Sequence, residues 1–128
     1  MDKKIYIFME KEMIYSAMLC PDGHLLESLH RHMHVTHNYN GREYSLDGGT
    51  DYIRRSVNGD ERMIILFSTD PIEMIRDRIK RWNRRIEKWV LLRDIDDDWL
   101  DAIIAYYTSE VFMPPKFLIQ YIKEKQYL

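Results

Sequence analysis

The chain has 128 residues, of which 45% are hydrophobic, 31% charged and 12% aromatic, and its formal net charge is -2 at pH 7. That length suits one hydrophobic core and a single domain, and the near-neutral balance excludes a polycation that would coat nucleic acid by charge alone. Cys20 is the one cysteine, which excludes an internal disulfide and a cysteine-built zinc site and fits a reducing cytosol.

In chain order, "MDKKIYIFMEKE" opens with a basic start, but its apolar run ends at Glu10. A signal peptide needs roughly 7–15 apolar residues there, and a membrane span needs roughly 20. Neither an export signal nor a membrane association is expected. β-branched and aromatic residues predict strands over Lys4–Met9 and Met13–Leu19, joined by a charged turn near Glu10–Lys11. "CPDGH" reads as a turn. Asn40-Gly41 lies between Val35–Tyr39 and Arg42–Leu46 and suits the two positive φ angles of a type I′ hairpin. Asn58-Gly59 repeats the device and predicts a second hairpin linking Tyr52–Val57 to Arg62–Phe67.

After Phe67 the period changes. Asp70 or Thr69 can cap a helix and Pro71 fits its first turn. Ile72, Ile75, Ile79, Trp82 and Ile86 then fall at i, i+3, i+7, i+10 and i+14, which predicts one amphipathic helix. "KWVLL" (Lys88–Leu92) predicts a short strand. The acidic start of "DIDDDWLDAIIAYYTSEV" suits a helix N-terminus, and helix is expected through about Val111. "MPP" breaks it, and Lys116–Tyr127 is expected as a last amphipathic helix. Strands first and helices after predict an α+β fold: an N-terminal antiparallel sheet of hairpins, then two to three C-terminal helices. Residues 1–128 are expected as a single domain, with 1–68 mainly β-sheet and 69–128 mainly helical.

Three stretches carry chemistry. His30, His32, His34 and His37 fall within eight residues. On an extended strand the first three would share a face and His37 would point to the other. Such a face can ligate zinc if His24, Asp47 or Asp51 completes the set. It can also serve acid–base chemistry, or simply line a polar groove, the commonest use of such residues. No nucleophile–base spacing is visible, and "SLDGG" matches no hydrolase elbow. In "LDGGTDYIRR", Gly48 and Gly49 permit a tight corner or a close ligand approach beside Tyr52, Arg54 and Arg55. The expected helix from Pro71 presents Arg76, Arg78, Lys80, Arg81, Arg84 and Arg85, a basic face that is either solvated or phosphate-binding. Asp94, Asp96, Asp97, Asp98 and Asp101 follow closely and would repel a long polyanion on that side.

Taken together, "SLHRHMHVTHNYNGREYSLDGGTDYIRRSVNGDE", "STDPIEMIRDRIKRWNRR", "KWVLLRDIDDDWLDAIIAYY" and "KFLIQYIKEKQY" resemble the Thoeris anti-defence type 1 family of phage proteins. The likeness runs over roughly residues 3–127, through an "RH…DGG.DY.RR" block and "WV.L.DI.D.WL.A.I.Y". It implies a sponge that binds cyclic ADP-ribose isomers made by a bacterial immune sensor and holds them uncleaved, so that the downstream effector stays silent. It also implies a homodimer or a higher homo-oligomer such as a hexamer, working in the host bacterial cytoplasm. Ligand pockets would lie near subunit contacts, and some relatives hold cyclic oligonucleotides at separate sites. Relatives carry a longer Gly-rich loop where this chain has "NRRIEKWV" and an arginine where it has "EVFMPP", so contacts in those regions do not transfer. "CPDG…RH…DGG.DY.RR" also resembles small phage zinc-ribbon-like proteins, but of their two cysteine pairs only Cys20 is present, which argues against a ribbon.

The resulting expectation is a non-enzymatic α+β homo-oligomer that binds a small cyclic nucleotide and needs no cofactor or metal. Arg31, His32, Asp47, Tyr52 and Arg54 lie in the matching block. Arg31, Arg54, Arg84 and Arg85 are candidates for the phosphates and Tyr52 for base stacking, worth about 1–3 kcal/mol. Asn83 could read the adenine edge, because a carboxamide both donates and accepts. Asp47 could orient the glycine corner or accept a ribose hydroxyl. Two other classes stay open: a metal-dependent nucleotide hydrolase built on His30, His32 and His34, and a nucleic-acid-binding module built on the basic helix.

Overall fold

A computed structural model describes residues 12–109 and 115–127. The expected strand Lys4–Met9 and the residues around Val111 lie outside them. The architecture is α+β, antiparallel strands first and helices after. The chain forms two compact units, one of Met13–Phe67 and one of Glu12 together with the described residues from Ser68 onward. No helix among the described residues is long and apolar enough to cross a membrane.

The first unit carries β1 (Met13–Leu19), β2 (Leu25–Ser28), β3 (Val35–Tyr39), β4 (Arg42–Asp47), β5 (Arg54–Arg55) and β6 (Arg62–Phe67). They form two three-stranded antiparallel sheets, ordered β2-β1-β6 and β3-β4-β5. β1 is a central strand and Ile14 through Met18 are all buried, as expected where both faces of a strand are covered. Met18, Cys20, Leu26, Tyr44 and Leu46 make the core, with Val35 and Met63 against it. Alternation on β4 sends Tyr44 and Leu46 inward and leaves Ser45 and Asp47 on the opposite face.

Asn40 (φ 54°) and Gly41 (φ 75°) close the β3–β4 hairpin as a type I′ pair. The second expected hairpin does not form. Of Asn58 and Gly59 only Gly59 takes a positive φ, 101°, whereas a type I′ turn needs both. The chain instead crosses between sheets here, because β5 pairs with β4 while β6 pairs with β1. Glu61 holds the crossing: its carboxylate accepts the N–H groups of Asn58 and Gly59, each at 3.0 Å, and the Arg55 guanidinium at 3.1 Å.

Burial of Glu61 opposes its ionisation, but its own N–H, those of Asn58 and Gly59 and the Arg55 guanidinium outweigh that effect and hold its pKa below the ordinary 4.5. A carboxyl with a depressed folded pKa stabilises fully above its unfolded value and loses that contribution as pH falls through the folded one. Acid titration of the wild-type chain below pH 4.5 should therefore show a stability loss that Glu61→Gln, already lacking the charge, does not share. Parallel urea midpoints for the two chains across that range check it.

The second unit carries α1 (Ile72–Ile75), β7 (Lys80–Asn83), β8 (Lys88–Leu91), a 3-10 turn (Leu92–Asp94), α2 (Asp97–Ser109) and α3 (Pro115–Gln126). Here the expected amphipathic helix from Pro71 to Ile86 is corrected: it stops after one turn, and its second half is a hairpin strand. The isoleucine stripe splits accordingly, with Ile75 and Ile79 buried but Trp82 43% and Ile86 49% exposed. Asn83 is the local cause. Its carboxamide oxygen accepts the N–H groups of Arg85 (3.0 Å) and Ile86 (3.4 Å), and Glu87 enters the left-handed region at φ 53° to complete the reversal. Trp82 and Trp89 face each other across the strands in an edge contact at 5.5 Å, a pairing that favours sheet. Leu92 N–H to the Ile79 carbonyl (2.9 Å) and Arg93 N–H to the Arg76 carbonyl (3.1 Å) then tie the hairpin's exit to its approach.

Asp96 caps α2 by accepting the Trp99 N–H at 2.8 Å. The helices α2 and α3 bury Leu100, Ile103, Tyr107 and Tyr121. Arg76, just beyond α1, makes a two-pronged ion pair with Glu124 of α3, Nε to Oε1 at 2.8 Å and Nη2 to Oε2 at 2.9 Å.

Candidate functional site

The glycine corner after β4 shapes the first unit's polar surface. Gly48 and Gly49 take φ of 110° and 58°. A Cβ on Gly49 would lie 2.0 Å from the His30 carbonyl oxygen, and one on Gly48 would lie 2.0 Å from that of Tyr52. Two buried serines clamp the corner. Ser16 Oγ donates to the Gly49 carbonyl at 2.8 Å, and Ser28 Oγ accepts the Gly49 N–H at 2.8 Å while donating to the Met33 carbonyl at 2.7 Å. The glycines thus serve close backbone packing, and that packing directs the chain into β5.

Beside the corner lies an open hollow of about 360 Å³ lined by His34, Ser45, Asp47, Arg54, Arg55 and Ser56. The outward face of β4 supplies Ser45 and Asp47, and the register sets Arg54 opposite Asp47. Ser56 is pinned by its backbone and hydroxyl to the backbone of Ser45. Arg55 is held by Glu61, whose side chain is only 2% exposed. The side chains of Arg54 and His34 have no hydrogen bond or ion pair among the described residues. The hollow therefore offers one free guanidinium, one anchored guanidinium, an imidazole, two hydroxyls and a carboxylate, a donor-rich set suited to a phosphorylated ligand that also bears hydroxyls.

The other candidates in this unit lie around the corner. His32 sits at φ 61°, its Nδ1 is 3.1 Å from the Tyr52 hydroxyl, and the two rings tilt at 5.6 Å. Tyr52 is 39% exposed, so part of its ring is open to a stacking partner. Arg31 pairs with Asp51 at 3.0 Å, with side-chain exposures of 70% and 37%. A pair that wet is worth about 0–1 kcal/mol and yields easily to a better anion.

The histidine run is not a strand. His30, Arg31 and His32 form a turn, and β3 begins only at Val35, so His30, His32 and His34 share no strand face. Nor do they point to a common target. His30 Nδ1 contacts the Arg31 carbonyl at 3.2 Å, His32 contacts Tyr52, and His34 lines the hollow. His37 Nε2 meets Asp22 Oδ2 at 2.8 Å while its ring stacks on His24 at 3.9 Å. That contact with His37 is the main reason the Asp22 carboxyl titrates below its ordinary value. Among the described residues no three His, Cys, Asp or Glu side chains are grouped to hold a metal ion.

Asn83, Arg84 and Arg85 belong to the second unit: Asn83 ends β7, and Arg84 and Arg85 occupy the β7–β8 turn. The Asn83 acceptor is already engaged by the turn, which leaves only its NH₂ to offer a ligand. Arg84 and Arg85 are exposed, without ion pairs among the described residues. Since they sit on a hairpin turn, the basic-helix nucleic-acid reading loses the element it was built on. The sequence marks Arg55 beside the glycine corner and His34 in a run able to line a polar groove, but neither Ser45 nor Ser56. Alternation in "REYSLD" is the available signal for Ser45, whereas nothing local marks Ser56.

No family model, curated protein or solved structure matches this chain. What the fold and site define is an α+β protein with a polar, arginine-lined hollow.

Proposed function

We propose that this protein is a phage anti-immune sponge that binds a cyclic ADP-ribose-type nucleotide, holds it uncleaved and so keeps a Thoeris effector silent. The observation that carries the reading is Arg54: a guanidinium with no ion pair among the described residues, at a hollow that also holds Arg55 and His34. Arg54 and Arg55 would take the phosphates, Asp47 and the serines would meet ribose hydroxyls, and Tyr52 would stack on the base. The hollow is open to solvent, and a second copy of the chain in a homo-oligomer would close it and exclude water. Capture by mass action needs tight binding, and nanomolar affinity corresponds to about 12 kcal/mol. Two charge-assisted contacts at roughly 1.5–3 kcal/mol each and one stacking contact at about 1–3 kcal/mol supply a large share of it.

Equilibrium binding of cyclic ADP-ribose to the full chain and to Arg54→Ala tests the reading. Loss of one charge-assisted contact should weaken binding by about 1.5–3 kcal/mol, roughly tenfold to a hundredfold. Equal affinity in the two proteins would remove the hollow from the account.

A further inference from the structure

A second cation site lies in the other unit, and it owes nothing to the reading above. Arg81, at the middle of β7, is half-buried. Its guanidinium carbon lies 5.3 Å from the centre of the Tyr107 ring and 5.7 Å from that of Tyr121. Nη1 donates to the Tyr107 hydroxyl at 2.5 Å and reaches the Tyr121 hydroxyl only at 3.5 Å. No carboxylate pairs with it among the described residues. Two aromatic rings spread its charge but offer few acceptors, so most of its N–H donors lack a partner among the described residues.

That arrangement is unusual for a partly desolvated cation. Another half-buried arginine of this unit, Arg76, has a carboxylate aligned on two of its nitrogens, which is the ordinary way to bury a guanidinium. Around Arg81 the acceptor role is left to tyrosine hydroxyls. Burial pushes the Tyr121 hydroxyl up to about 12, so it stays neutral and cannot become the missing anion at any ordinary pH. The register adds a second charge. Arg81 lies opposite Val90 and Asn83 opposite Lys88, so alternation puts Arg81, Asn83 and Lys88 on one face of the hairpin, with Trp82 and Trp89 on the other. Lys88 is exposed and unpaired among the described residues.

We propose that Arg81, with the Tyr107 hydroxyl beside it and Lys88 on the same face, forms a binding site for the phosphate group of a small phosphorylated ligand. The guanidinium presents a planar fork that matches two phosphate oxygens. Tyr107 accepts from Arg81 and so keeps its own hydroxyl proton to donate to a third oxygen. Lys88 adds long-range attraction from the hairpin's edge.

Inorganic phosphate is the probe. Titrated into the isotope-labelled full chain, it should shift the Arg81 Nε–H and Tyr107 ring resonances saturably. Tyr107→Phe keeps the ring and the cation–π contact but removes the hydroxyl, and it should weaken phosphate several-fold. Arg81→Gln should weaken it by about tenfold or more, while Arg54→Ala, in the other unit, should leave it unchanged. Should Arg81→Gln fail to fold, the wild-type resonances and Tyr107→Phe still decide. Absence of a saturable shift at Arg81 in the wild-type chain overturns the proposal. So does equal affinity in Tyr107→Phe, or phosphate binding that disappears in Arg54→Ala.

Discussion

Gly49→Ala is expected to unfold most of the Met13–Phe67 unit, or at least to remove roughly 3 kcal/mol of its stability. Two effects add. A left-handed backbone costs a residue with a Cβ roughly 1–2 kcal/mol, and Gly49 sits at φ 58°. The new methyl would also stand 2.0 Å from the His30 carbonyl oxygen and 2.5 Å from its carbon. Those are backbone atoms, which cannot swing aside as a flexible side chain can, and overpacking of this kind typically costs about 1–3 kcal/mol. Any shift that relieves the clash also pulls Gly49 away from Ser16 and Ser28, which are both fully buried, and an unsatisfied buried polar group costs about 1–3 kcal/mol. A domain's total is about 5–15 kcal/mol, so the loss should be plain in urea midpoints followed by far-UV circular dichroism. Gly41→Ala is the control: φ is 75° but nothing lies within 4 Å of the added Cβ, so only the smaller conformational cost applies. Equal losses from the two substitutions would mean that the corner is not closely packed.

The second large effect is in the other unit. Glu124→Ala should destabilise by about 3–5 kcal/mol, because it leaves the Arg76 guanidinium poorly hydrated and unpaired. The side chains of Arg76 and Glu124 are only 18% and 6% exposed, and the Arg76 guanidinium also lies 4.2 Å above the Tyr127 ring. Breaking such a pair is far more costly than replacing it whole. The double substitution Arg76→Met with Glu124→Leu should therefore recover most of the loss. All three tryptophans, Trp82, Trp89 and Trp99, lie beyond Ser68, so tryptophan emission reports on this unit while circular dichroism reports on both. A double variant no more stable than Glu124→Ala would contradict the assignment of the pair as a buried, mutually dependent unit.

The sequence was most readable where one short stretch decides its own conformation. Asn40-Gly41 needs no tertiary help to prefer two positive φ angles, and β1 announces itself by its aromatic and β-branched content. Asp96 lies directly before the amphipathic stretch it caps. Reading failed where two local signals compete. Ile72, Ile75, Ile79, Trp82 and Ile86 fit a helical stripe, but the same segment contains Asn83 and is followed by "EKWV", which leads into the second arm of a hairpin. Pairing of Trp82 with Trp89 and the Asn83 turn outweighed a periodicity of four isoleucines, of which Ile75 and Ile79 are buried without a continuous helix. Asn58-Gly59 reads as a hairpin that does not form, because which strand the chain joins depends on Glu61 and on β1, far back in the sequence. The hollow was half legible: Asp47 and Arg54 came from one contiguous block, whereas His34 and Ser56 reach it only through the pairing of separate strands. The helix reading set Arg81 on a basic face, solvated or phosphate-binding, and gave no sign of its place against Tyr107 and Tyr121.

One measurement bears most directly on the account as a whole. Cyclic ADP-ribose is mixed with the full chain, the protein is heat-denatured, and the released nucleotide is identified and counted. At roughly 100 times its dissociation constant the ligand should first stabilise the fold by about 2.7 kcal/mol, and heating should then return it intact and in full. A cleaved or rearranged product would make the protein an enzyme, and no stabilisation at any ligand concentration would contradict capture of this nucleotide.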